Sequence, residues 1–125
     1  MKLKVFLIED DEAYAEFIKK SLRKDYQIYS FITAEDCLVT MKSIDPDVLI
    51  IDYNLPGMSG IDLYDEVKNT LHPDVKVIMM SAIDDGNLVL EFIRKGVRDY
   101  VVKDEKVINT LKSVIEGKDD IYFDE

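Results

Sequence analysis

The sequence predicts a doubly wound α/β domain built on a parallel sheet. Three observations carry that expectation. Short apolar runs rich in branched residues alternate with amphipathic helical patterns, five times over. Most of the runs are continuous, which suits strands covered on both faces. A chain of 125 residues with 47% hydrophobic residues fits one domain with its own core.

The elements follow in order. Val5-Phe6-Leu7-Ile8 reads as the first strand. Tyr14, Phe17, Ile18 and Leu22 then recur at i, i+3, i+4 and i+8, the stripe of a half-buried helix. Either Asp10 or Asp11 can cap its start. Gln27-Ile28-Tyr29-Ser30-Phe31 alternates and suits an edge strand. A second helix, around Glu35 to Ser43, is less regular and opens with Thr33-Ala34-Glu35-Asp36, a capping box with Asp in the Glu position. Val48-Leu49-Ile50-Ile51 is the third strand, and Ile61, Tyr64, Val67 and Leu71 mark the third helix. Val75 to Met80 is the fourth strand, with Leu88, Phe92 and Ile93 on the helix after it. Tyr100-Val101-Val102 is the fifth, before the helix of Val107, Ile108, Leu111, Val114 and Ile115. Gly96 and Gly117 stand where helices should stop, because glycine takes the left-handed cap at little cost. Strand-helix alternation implies right-handed crossovers between parallel strands. The domain occupies 1–117, and 118–125 reads as an acidic C-terminal tail or the start of a linker.

Composition removes several function classes. Lys and Arg total 16 against 26 Asp and Glu, a net charge of −10. Such a chain is repelled by phosphate backbones and anionic lipid, so neither direct nucleic-acid binding nor membrane binding is expected. No apolar run reaches the ~18 residues of a spanning helix. The single cysteine, Cys37, excludes an internal disulfide and reads as a small core residue. No Cys/His cluster suggests zinc, and His72 is isolated. Met1-Lys2-Leu3-Lys4-Val5 resembles a strand rather than a signal peptide. The default setting is reducing and cytoplasmic.

Ligands of such folds bind at the carboxyl ends of the strands. Glu9-Asp10-Asp11 follows the first strand, Asp52-Tyr53-Asn54 the third, Ser81-Ala82 the fourth and Lys103-Asp104 the fifth. Each group alone has an ordinary reading: a helix cap, a turn acid, a capping hydroxyl, a solvated lysine. Together they place acids, a hydroxyl and a cation on one rim. Carboxylates from two strands would repel, and Mg²⁺ relieves this with oxygen ligands. Asn54 could add its backbone carbonyl. An oxygen of Asp52 could attack a phosphoryl group, with Lys103 and Ser81 supporting the charge.

Glu9-Asp10, the stretch Asp52-Tyr-Asn-Leu-Pro-Gly-Met-Ser-Gly60, Ser81-Ala82 and Lys103 together resemble the receiver domain of two-component response regulators. The resemblance runs from about Lys2 to Gly117. It implies a flavodoxin-like five-stranded sheet of order 2-1-3-4-5 with five helices. It implies that Asp52 is the phosphoacceptor, with Glu9, Asp10, Asp52 and the Asn54 backbone carbonyl holding Mg²⁺. Ser81 and Lys103 then bind the phosphoryl group, and Ser81 and Tyr100 switch the face of helix 4, strand 5 and helix 5. The implied partners are a sensor histidine kinase or histidine phosphotransfer protein and an effector domain or partner protein. Homodimerisation on phosphorylation is left open. The chain would catalyse only its own phosphorylation and dephosphorylation.

One departure stands out. The family usually has proline after the lysine, joined by a cis bond; here Asp104 follows Lys103. Because a non-proline cis bond costs ~2.5–4 kcal/mol, the bond is expected to be trans, with Asp104 capping helix 5 or pairing with Lys103. Ile83 is expected to shield the phosphoryl group from water. The alternative is a degenerate receiver that docks proteins without phosphorylation. Enzymes on similar sheets fit less well: position 54 lacks the second Asp of dehalogenase-like phosphatases, and the glycine fingerprint of dinucleotide enzymes is missing.

Overall fold

Branched aliphatic residues favour extended backbone, and here they form the sheet. The computed structural model describes residues 1–82 and 86–117. Its strands are β1 (Lys4–Ile8), β2 (Gln27–Phe31), β3 (Val48–Asp52), β4 (Lys76–Ser81) and β5 (Asp99–Val102). Its helices are α1 (Glu12–Leu22), α2 (Ala34–Met41), α3 (Gly60–Val67), α4 (Gly86–Lys95) and α5 (Val107–Ile115). The strands pair in parallel in the order β2-β1-β3-β4-β5, as expected. The predicted Ile83 shield and the 118–125 tail lie outside the described residues.

Side chains alternate across each strand and so feed two cores. Val5, Leu7, Val48, Ile50, Ile78 and Met80 pack with Ile18 and Leu22 of α1 and Leu111 and Val114 of α5. Phe6, Ile8, Leu49, Ile51 and Met79 point the other way, onto Cys37 of α2, Leu63 and Val67 of α3 and Phe92 of α4. β1 and β3 at the centre are buried almost throughout, whereas no residue of β2 is fully buried, which is the edge position its alternation predicts. No described helix is long and apolar enough to cross a membrane.

Local signals fix the helix ends. Asp11, not Asp10, caps α1: its Oδ1 accepts the Tyr14 N–H at 3.1 Å. Thr33 caps α2 in the same way through the Asp36 N–H. The reciprocal capping box falls elsewhere, at α3, where Ser59 accepts from Asp62 N–H and Asp62 accepts from Ser59 N–H. Gly96 ends α4 at φ 103°.

Two expectations need correction, and one next to them holds. Leu71 lies beyond α3 in the following turn, although it still packs on the core. The bond between Lys103 and Asp104 is trans, as expected, since no described peptide bond is cis. Asp104, however, does not cap α5. Its Oδ1 accepts the Lys106 N–H at 2.9 Å in a local turn, and the helix begins only at Val107.

Candidate functional site

Hydrogen bonding continues past the strand ends and holds the rim in place. Glu9 N–H donates to Phe31 O, Tyr53 N–H to Met80 O and Lys103 N–H to Ser81 O, all at 2.8–2.9 Å. Asp52 and Ser81 are the last residues of β3 and β4 rather than the first residues after them. The side chains that matter most are buried: Glu9 is 1% exposed, Asp52 4% and Ser81 3%. Asp10 is exposed beside them.

Lys103 spans the acids. Its Nζ lies 2.6 Å from Glu9 Oε1 and 3.2 Å from Asp52 Oδ2. Asp104 is therefore not its partner; two buried carboxylates attract the ammonium more than one exposed acid already bonded to a backbone N–H. Asp52 Oδ1 accepts the Asn54 N–H at 3.2 Å, and Glu9 Oε2 accepts the Asp11 N–H at 3.1 Å. Burial pushes the Glu9 carboxyl up to about 7; Lys103 and the Asp11 N–H oppose the rise and Asp52 adds to it. Burial alone would lower the Lys103 ammonium, but its bonds to Glu9 and the charge of Asp52 more than offset this and raise it.

The arrangement suits a hard divalent cation. Glu9, Asp10 and Asp52 each offer a carboxylate oxygen, and these lie within 4.8 Å of one another. Glu9 Oε1 is buried, and the contact that compensates it is the ion pair with Lys103. An all-oxygen set of carboxylates is the ligand type that Mg²⁺ takes.

The predicted switch residue Tyr100 is half-buried on β5 and packs on Phe92 at 5.4 Å between ring centres. Phe92 in turn meets Tyr53 at 5.4 Å, and Tyr53 follows Asp52 in the chain. Sequence reading missed Tyr14, taken there only as part of an apolar stripe. Its ring centre lies 4.7 Å from Lys103 Nζ. The available signal was its place in the first turn after Glu9-Asp10, because helical side chains lean back toward the N-terminus.

The profile of the response regulator receiver domain family matches residues 5–116. The chain is 32% identical over 100 residues to the chemotaxis protein CheY of Listeria monocytogenes, covering 78% of this chain and 83% of that one. It is 30% identical over 106 residues to the transcriptional regulatory protein KdpE of Staphylococcus aureus, covering 82% of this chain but only 44% of that protein. It spans 32% of a protein-glutamate methylesterase/protein-glutamine glutaminase of Paramagnetospirillum magneticum and 51% of the transcriptional regulatory protein DegU of Brevibacillus brevis. The BeF3-activated receiver domain of DrrB, from Thermotoga maritima, superposes with a TM-score of 0.80 at 27% identity, over 93% of this chain and 99% of that one.

Proposed function

The chain belongs to the response regulator receiver domain family, and from that premise we propose that it is a switch set by phosphorylation of Asp52. One observation carries the proposal: the buried Asp52 carboxylate stands at a strand end with Lys103 Nζ 3.2 Å away and two further acids beside it. Glu9, Asp10, Asp52 and the Asn54 carbonyl would hold Mg²⁺. Bound there, the cation supplies charge neutralisation for the acids and for the phosphoryl oxygens.

The chain's own residues do the rest. An Asp52 oxygen attacks phosphorus, forming an O–P bond as the donor's P–N bond breaks. The proton needed by the departing imidazole comes from solvent or from the donor protein. Lys103 exchanges a carboxylate partner for a phosphoryl oxygen, and the Ser81 hydroxyl donates to another. Drawing Ser81 inward changes the space beside Tyr100, which repacks the surface of α4, β5 and α5. The rings of Tyr53, Phe92 and Tyr100 support a packed route for that change. The donor is a sensor histidine kinase or a histidine phosphotransfer protein, and the reader is an effector domain or separate protein. Residues 1–117 form the receiver and 118–125 a tail or linker. Chemistry by the chain is confined to making and losing its own phosphoryl group.

The test is a mass measurement. With Mg²⁺ and acetyl phosphate the protein should gain one phosphoryl group, and Asp52→Asn should gain none. Beryllofluoride should perturb the wild type alone. No adduct on wild type with metal bound would favour a phosphorylation-independent docking module.

A further inference from the structure

Besides its two carboxylates, the Lys103 ammonium has a third neighbour. Nζ lies 4.7 Å from the centre of the Tyr14 ring, within the range of cation–π attraction. The helix cap puts the ring there. Asp11 Oδ1 accepts the Tyr14 N–H, which fixes Tyr14 in the first turn of α1, where side chains lean back over the rim.

The hydroxyl does not explain the residue. Tyr14 Oη is buried and has no hydrogen-bond partner among the described residues. A buried unpaired hydroxyl destabilises, so the face of the ring is the useful part. Burial raises the phenol's pKa, Lys103 opposes this, and Glu9, Asp104 and Asp52 add to it; the hydroxyl stays protonated and uncharged beside the ammonium.

Lys103 has need of such a contact. A lysine is a point charge on a flexible four-carbon stem. Its loop continues through a trans bond into Asp104, and α5 starts without a side-chain cap. The acids attract Nζ from the sheet side, and the ring closes the helix side.

The geometry points to Tyr14 as a positioning residue for Lys103, its ring holding Nζ beside Asp52 where the ammonium meets the transferred phosphoryl group. This rests on the reading of Asp52 as phosphoacceptor. The role needs an aromatic face and no hydroxyl.

The experiment compares wild type, Tyr14→Phe, Tyr14→Leu and Asp52→Asn with Mg²⁺ and acetyl phosphate. It reads the rate of adduct formation by mass spectrometry and the Lys103 ε-methylene proton shifts by NMR on lysine-labelled protein. Tyr14→Phe should keep the wild-type rate within about twofold and keep the ring-current shift. Tyr14→Leu should slow the reaction about 2- to 30-fold and move the ε-methylene signals toward their free-lysine position. Tyr14→Met replaces Tyr14→Leu if the latter is unfolded at the assay temperature. An adduct formed by the leucine or methionine variant at the wild-type rate overturns the role of Tyr14 alone. So does a phenylalanine variant as slow as the leucine one, since the hydroxyl would then be the active part. Absence of any Asp52-dependent adduct on wild type overturns the phosphoacceptor reading, and the role of Tyr14 falls with it.

Discussion

At the scale of single residues, burial decides which polar groups are free to react. Glu9 and Asp52 are buried but face Lys103, whose ammonium lies between them at the strand ends. Cys37 is equally buried, within the apolar cluster between α2 and the sheet, and burial pushes its thiol from an ordinary 9.0 to about 12. The thiolate is the reactive form, so native Cys37 should be inert. The folded value lies above the unfolded one. This contribution to stability is therefore full below pH 9 and is lost as pH rises toward about 12. Labelling with a disulfide reagent at pH 8 should proceed only as fast as the protein opens, and denaturant should release it. Rapid labelling of the folded protein would contradict the packing of α2 on the sheet.

At the scale of elements, α3 must come unusually close to β3. A Cβ on Gly60 would stand 2.5 Å from the Asp52 carbonyl oxygen, 3.0 Å from Ile51 Cγ2 and 3.1 Å from Tyr53 Cα. Two of these are backbone atoms, which cannot rotate away. Gly60→Ala should therefore cost about 1–3 kcal/mol, as overpacking does, and should slow Asp52 phosphorylation by displacing the strand end. Wild-type melting and wild-type adduct formation in that variant would refute the close approach. Gly60 shows what was readable in the sequence and what was not. The nine-residue stretch from Asp52 to Gly60 carried the family resemblance, yet nothing in it told that the last glycine exists for contact with the first residue's backbone. Periodicity located the strands and four of the described helices, because a two-sided sheet writes its burial directly into apolar runs, and the less regular α2 was marked by its cap at Thr33. Element ends were harder. Leu71 continued the stripe of α3 by packing after the helix had stopped, and Asp104 looked like a cap but makes a turn. The rim acids were legible one by one from strand order. The partners of Lys103 were not, since pairing across β1, β3 and α1 depends on distances that spacing along the chain does not encode.

At the scale of the whole molecule, a net charge of −10 and a local cluster of three acids make separate demands on stability. General repulsion is relieved by any salt, because it acts over the ~8–10 Å screening length. The cluster is relieved by an ion that binds it. Lys103 already compensates Glu9 and Asp52 in part, so the metal-free protein should fold, and the cation should add to its stability rather than be required. Mass action sets the size: ~2.7 kcal/mol at a magnesium concentration 100-fold above its Kd. For a domain of this length that is a rise in Tm of roughly 8–15 °C. Sodium chloride at equal ionic strength should give much less, and EDTA should reverse the magnesium effect. Asp10→Asn separates the two terms. Asp10 is exposed and bears a charge that only adds to the repulsion, so its removal should leave the metal-free Tm at or above wild type while shrinking the magnesium shift. Equal shifts for magnesium and sodium, or an undiminished magnesium shift in Asp10→Asn, would mean that the acids at the strand ends do not act together as a cation site.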